Sequence, residues 1–167
     1  DRQYYQVEFA SPDLLSDADL LSLRAGWRWL NTFANRHQLA LRADLGAIFS
    51  SVFDRVPLNM RLYGGGDQSV RGYDYKSLSP RDSAGQVIGA SNLMSLSAEY
   101  TFKLTAKWRL AGFVDSGNAF DSASEPLKTG VGLGIRWISP VGPVRLDVAL
   151  PLDSTSNSST PRVHFFM

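Results

Sequence analysis

Residues 64 to 73, Gly-Gly-Gly-Asp-Gln-Ser-Val-Arg-Gly-Tyr, set one permanently charged guanidinium among small residues, in a segment with neither helical nor strand periodicity. Three adjacent glycines allow left-handed backbone or close approach to another surface. Arg71, between Val70 and Gly72, carries a planar fork of donors that needs an anionic acceptor. The chemistry open to such a segment is bidentate pairing with a carboxylate or a phosphate. A phosphate loop does not fit. Lys76 follows Tyr75 rather than a glycine, the run Gly64, Gly65, Gly66 does not extend into a dinucleotide fingerprint, and no strand-to-helix context follows. Gly-x-Ser-x-Gly is absent. Glu99 and Asp115 could act as a glycosidase pair only across a sugar-sized cleft, which an intervening arginine would fill. The chain has no cysteine, and its two histidines, His37 and His164, are far from metal-site spacing. The expectation is a protein that is not an enzyme, with no cofactor and no metal.

The elements that position Arg71 are read from periodicity. From Leu39 to Phe49 the odd positions Leu39, Leu41, Ala43, Leu45, Ala47 and Phe49 oppose Gln38, Arg42, Asp44 and Gly46, a period of two. Leu21, Leu23, Ala25, Trp27 and Trp29 oppose Ser22, Arg24, Gly26 and Arg28. Met94, Leu96, Ala98, Tyr100 and Phe102 oppose Ser95, Ser97, Glu99 and Thr101. Val131, Leu133, Ile135 and Trp137 oppose Gly130, Gly132, Gly134 and Arg136, and Val144, Leu146, Val148 and Leu150 oppose Arg145, Asp147 and Ala149. Eight strands are predicted at 3–10, 19–33, 38–50, 88–103, 107–118, 128–138, 143–151 and 161–167, with no helix signal.

The connections alternate in length. Those at 34–37, 104–106 and 139–142 are tight, whereas 11–18, 51–87, 119–127 and 152–160 are longer, and 51–87 is much the longest. Short turns at one end and long loops at the other mark an outer-membrane barrel. Trp27, Trp29, Tyr100, Phe102, Trp108 and Trp137 gather near the tight-turn end, as an interfacial aromatic girdle would. No stretch approaches the roughly 18 apolar residues of a membrane helix. A net charge of +1 gives no reason to expect nucleic acid or an acidic partner.

A soluble sandwich or lipocalin-like barrel would show the same alternation with the apolar face as its core. Strands of about 10 residues, glycines on the polar face and the long-short loop rhythm favour the membrane reading. In that reading Glu99, with Ser95, Ser97 and Thr101, and Asp115, with Arg109, Ala111 and Phe113, face the interior on neighbouring strands. A loop folded inward could place Arg71 between them; the alternative is an Arg71 on a solvated loop.

Gly-Gly-Asp-Gln-Ser-Val-Arg-Gly-Tyr at 65–73 and Tyr-Lys-Ser-Leu-Ser-Pro at 75–80 resemble the sixth outer loop of the outer-membrane assembly-barrel superfamily. Phe-Val-Asp-Ser-Gly-Asn-Ala at 113–119 and Gly-Val-Gly-Leu-Gly-Ile-Arg-Trp-Ile-Ser-Pro-Val-Gly-Pro-Val-Arg-Leu-Asp at 130–147 continue the resemblance in order, most like its TamA branch. It implies an all-β antiparallel transmembrane barrel of sixteen strands in the bacterial outer membrane, of which residues 1–167 are the C-terminal part, eight strands with the loop about 51–87 inside the lumen. The implied loop motif is Gly65, Gly66, Asp67, Val70, Arg71, Gly72 and Tyr73, with Glu99 and Asp115 as acceptors for Arg71. The implied seam strand, about 161–167, carries Arg162, Val163, His164, Phe165 and Phe166; relatives would continue beyond Met167. The implied function is insertion of unfolded outer-membrane proteins such as autotransporters by strand templating at the seam. The implied partners are those substrates, outer-membrane lipid and an inner-membrane-anchored, TamB-like subunit. A two-partner secretion transporter and a self-closed eight-stranded barrel are the alternatives.

Overall fold

The computed structural model describes residues 1–10, 19–140, 142–153 and 160–166. The predicted loop at 11–18, Val141 of the 139–142 turn, residues 154–159 of the Ser/Thr/Asn-rich loop and Met167 lie outside the described residues.

Eight strands form one antiparallel sheet in chain order: β1 (Arg2–Ala10), β2 (Leu20–Phe33), β3 (His37–Phe49), β4 (Asn92–Lys103), β5 (Trp108–Phe120), β6 (Lys128–Ser139), β7 (Gly142–Pro151) and β8 (Arg162–Phe166). Every predicted strand is present. The largest boundary change is at β4, which begins at Asn92 rather than 88, because Gly89 takes a left-handed φ of 73° just before it. β1 and β8 do not pair among the described residues, so the sheet is not a self-closed eight-stranded barrel.

Burial is inverted relative to a soluble protein. Leu133 is 73% exposed, and Tyr5, Val7, Phe9, Leu45, Val163 and Phe165 also stand clear of the protein. Asp115 is fully buried and Ser22, Ser95 and Asp147 nearly so. A sandwich would hide the first set and wet the second. So long an apolar face on a water-soluble monomer would be an aggregation surface. The described helices include none long and apolar enough to cross a membrane; any crossing is made by strands. At the tight-turn end Trp108 and Trp137 stack at 5.8 Å on facing positions of β5 and β6, and His37 lies between Phe33, Tyr100 and Phe102.

The connection from 50 to 91 packs on the polar face. It is an irregular double-back, with Leu62 bridged to Ala90, Gly64 to Leu78 and Arg81 to Val87, and it contains one short 3-10 turn, Phe53–Arg55, that periodicity did not predict. Val56 and Leu62 of the loop meet Leu20 and Ile48 of the sheet in a small apolar cluster, while Val70, Tyr73 and Leu78 form another within the loop. Arg61 holds the first stretch together by donating to the carbonyls of Val56 (2.9 Å), Asp54 (3.0 Å) and Ile88 (3.1 Å). These bonds satisfy backbone acceptors that no strand pairs.

The sheet curls around this loop. Ser69 and Gly72 are at most about 11 Å apart along the chain. Yet the Ser69 carbonyl accepts from Arg42 of β3 (2.7 Å) and the Gly72 amide donates to Nε2 of His164 in β8 (3.3 Å). In a flat sheet those strands would be about 24 Å apart.

Candidate functional site

Three glycines set the loop's path. Gly65 and Gly72 have φ of 96° and 95°; a Cβ would meet the Asp74 carbonyl oxygen at 2.5 Å in the first case and the Leu150 backbone at 3.1 Å in the second. Left-handed φ and close approach together restrict both positions to glycine. Gly66 closes a tight turn by accepting from the Ser69 amide (3.0 Å) and donating to the Val70 carbonyl (3.2 Å). The next residue is Arg71.

All five N–H groups of the Arg71 guanidinium are used. Nε donates to Asp115 Oδ2 (2.6 Å) and Nη2 to Asp115 Oδ1 (2.9 Å), a bidentate pair. Nη1 donates to Glu99 Oε2 (2.8 Å) and Asp147 Oδ2 (3.2 Å), and Nη2 also to Ser97 Oγ (3.4 Å). The guanidinium carbon lies 3.4 Å from the centre of the Phe113 ring, and the Arg71 amide donates to Asp115 as well (3.1 Å). Glu99 and Asp115, the two acceptors predicted from alternation, are both in place; the solvated-loop alternative is not what forms. Sequence reasoning missed Asp147, because it lies two strands beyond Asp115 and is brought in only by curvature.

Two more arginines complete a knot of three cations and three anions. Arg136 pairs with both Asp147 and, at 3.0 Å, Glu99, while Arg145 reaches Glu99 at 3.1 Å. The glycines of β6 make room for it. A Cβ on Gly130 would overlap the Arg71 carbonyl oxygen, one on Gly132 the Phe113 ring, and one on Gly134 the Asp147 carboxylate. The small residues opposite Val131, Leu133 and Ile135 are therefore a docking floor for the loop.

Among the remaining predicted residues, Val70 is fully buried in the loop's own cluster. Tyr73 donates to Asp153 (2.7 Å) beyond the end of β7. Burial pushes the Tyr73 hydroxyl up, and the Asp153 hydrogen bond adds to this. Burial alone would raise Asp153, but the Tyr73 hydroxyl and the Thr129 amide (2.8 Å) outweigh it and hold the carboxyl below its ordinary range. In β8, His164 pairs with Asp67 and Arg162 with Asp74, so the loop motif also grips that strand, while Val163 and Phe165 are exposed on the apolar face. Phe166 is exposed too.

Over residues 1–167 the chain matches the Omp85 superfamily domain. It belongs to the Omp85 superfamily. The outer membrane protein assembly factor BamA of Nitratidesulfovibrio vulgaris is 34% identical over 154 residues, covering 87% of this chain and 20% of the relative. BamA of Neisseria meningitidis is 26% identical over 147 residues, covering 66% of this chain and 18% of the relative. This Omp85 chain thus spans about a fifth of the length of the curated relatives it matches. Its fold is similar to that of Haemophilus ducreyi BamA lacking POTRA domains 1-3 (TM-score 0.74, 17% identity, 98% of this chain and 37% of that one). It is also similar to that of CdiB from Acinetobacter baumannii (TM-score 0.59, 19% identity, 90% and 27%). The Omp85 chain is a β-barrel chain of the bacterial outer membrane, which accounts for the apolar face. Among the described residues no group of three or more His, Cys, Asp or Glu could hold a metal ion.

Proposed function

We propose that this Omp85 chain is the seam-bearing, C-terminal part of a sixteen-stranded insertase barrel, whose polar face is the lumen and whose work is strand templating rather than catalysis. The observation that carries this reading is a contrast within one sheet. Arg71 ties β4, β5 and β7 to the loop through a saturated, buried network, whereas β8, paired with β7 through Arg145–Ala149 against Arg162–Phe166, has no strand on its other side among the described residues. A rigid centre beside an unpaired edge can present N–H and C=O groups to an incoming strand without losing the barrel. In lipid those groups have no other partner, so each added strand is strongly favoured. The assembly-factor relative at 34% identity supports the same reading.

The narrower assignment within this proposal is to a TamA-like factor that handles autotransporters with a TamB-like inner-membrane partner. The experiment uses the full-length protein carrying Val163→Cys and an autotransporter stalled during assembly with one cysteine in its last strand. A disulfide between the two, absent when the cysteine is placed at Leu133, is the expected result. Equal crosslinking at both positions overturns strand templating. Substrate recovered in the medium rather than in the membrane would identify a two-partner secretion transporter instead.

A further inference from the structure

On the tight-turn side of the Arg71 knot, four cationic side chains stand shoulder to shoulder across four strands. Lys103 of β4 is directly opposite Arg109 of β5, Arg109 is opposite Arg136 of β6, and Arg136 is opposite Arg145 of β7. By alternation all four share the polar face with Glu99, Asp115 and Asp147. Like charges at directly opposed positions repel, so an unbroken row of four destabilises the sheet unless something answers it.

The protein answers only half of the row. Arg136 and Arg145 are neutralised by Glu99 and Asp147. The Lys103 amine has no hydrogen-bond or ion-pair partner among the described residues. Arg109 has a single weak contact, Nη1 to the Gln38 side-chain oxygen at 3.4 Å, and its Nε is buried without a partner. No acid is nearby to supply the missing charge. The segments 27–43, 100–114 and 131–146, which form the tight-turn half of β2 to β7, contain no Asp or Glu, while Arg36 and Lys107 in the turns add further positive charge. Within β2 to β7 the acids are confined to the other side of the row, and Asp1, before β1, lines the cavity beside the already paired Arg145.

We propose that this row is a binding site for an acidic, unfolded polypeptide segment entering the polar face at its tight-turn mouth. Its spread favours a peptide over a compact anion, because the unanswered charges of Lys103 and Arg109 on neighbouring strands are continued by Arg36 and Lys107 in the adjoining turns, so several carboxylates in succession can be met. Its face favours a peptide over a lipid headgroup, because membrane lipid meets the opposite, apolar side. Arg109 offers an unfilled fork for bidentate carboxylate pairing, and Lys103 a mobile point charge beside it. The site rests on the reading of the polar face as a lumen, and it names what passes there.

The test uses full-length protein in detergent and a fluorescein-labelled hexa-aspartate peptide, with binding read by fluorescence anisotropy. In K103Q/R109Q the Kd should rise by at least about tenfold, with the charge-conserving K103R and the remote R81Q binding as wild type does. Because the lost charges repelled one another, K103Q/R109Q should unfold at the same temperature as wild type or higher. Equal Kd in all four proteins overturns the proposal, and so does a lower unfolding temperature in K103Q/R109Q, which would make the row a brace. So does an effect seen only on binding to phosphatidylglycerol vesicles. The peptide is bound without being inserted, so failure of strand templating and failure of this site are read in separate experiments.

Discussion

Arg71→Ala tests the knot most directly, and its cost follows from what each carboxylate has left. Glu99 keeps Arg136 and Arg145, and Asp147 keeps Arg136. Asp115 alone loses its ion-pair partner: it is fully buried and keeps the Ser97 hydroxyl (2.5 Å), the residue-71 amide (3.1 Å) and the nearby but unbonded charge of Arg42. Leaving one uncompensated buried charge costs about 3–5 kcal/mol. Arg71→Lys keeps the charge but replaces five planar donors with three, so it should recover only part of that loss. Arg71→Ala combined with Asp115→Asn removes both ends of the stranded pair and should be less damaging than the sum of the single changes by at least about 1 kcal/mol. The assay is urea-dependent loss of heat-modifiable electrophoretic migration for the full-length protein, Arg71→Ala, Arg71→Lys, Asp115→Asn and the double variant. An Arg71→Ala midpoint equal to wild type refutes the reasoning, as does strict additivity in the cycle, since either would mean Asp115 does not depend on the guanidinium.

Other outcomes follow from the same geometry. Leu133→Arg, at a 73% exposed site, should destabilise the barrel by about 2–4 kcal/mol if that residue sits near the bilayer midplane; urea titration showing no change would place the face in water. Gly130→Ala pushes a methyl into the Arg71 carbonyl and should cost about 1–3 kcal/mol, whereas Gly112→Ala, whose Cβ would meet only Leu133 at 3.5 Å, should be silent in the same titration. Asp153 has a lowered folded-state pKa, so its contribution is complete above the ordinary carboxylate range and is lost as pH falls through the folded value; acid titration of Tyr73→Phe should show a smaller loss than wild type. Asp67→Asn with Asp74→Asn releases both side-chain grips on β8 and should accelerate hydrogen exchange of the Val163 and Phe165 amides more than that of β5.

Alternation made the strands and the two faces legible. Leu133 and Gly132 are adjacent in sequence and meet opposite environments, and no other secondary structure imposes that on a whole chain. Glu99 and Asp115 could be chosen for Arg71 because acceptor parity and strand adjacency are both sequence properties. Asp147 could not, because its approach depends on how far the sheet curls, and curvature has no one-dimensional signal. The grip of Asp67 on His164 was hidden for the same reason: the partners are 97 positions apart in the sequence, on segments related only through the folded loop. The Gly130, Gly132, Gly134 series was visible as small residues on the polar face, but the load each one clears, a carbonyl, a ring and a carboxylate, emerges only once the loop is docked.

A sheet that gives its apolar side to lipid has little hydrophobic core with which to fix its other side. The loop's apolar clusters are small, so position along the polar face must come from specific pairs. Three arginines and three acids are expensive to desolvate, and replacing such a group wholesale with apolar residues is often neutral or stabilising. What an apolar replacement could not do is choose one register, because a greasy loop can slide on a greasy floor. Arg71 cannot slide: moving it by one residue along β5 would exchange Asp115 for a side chain on the opposite face. The knot is therefore best understood as a register lock, and the same loop extends that hold to β8 through Asp67 on His164 and Asp74 on Arg162. A barrel that loosens at one edge keeps its remaining strands aligned only if something other than edge pairing holds them in place.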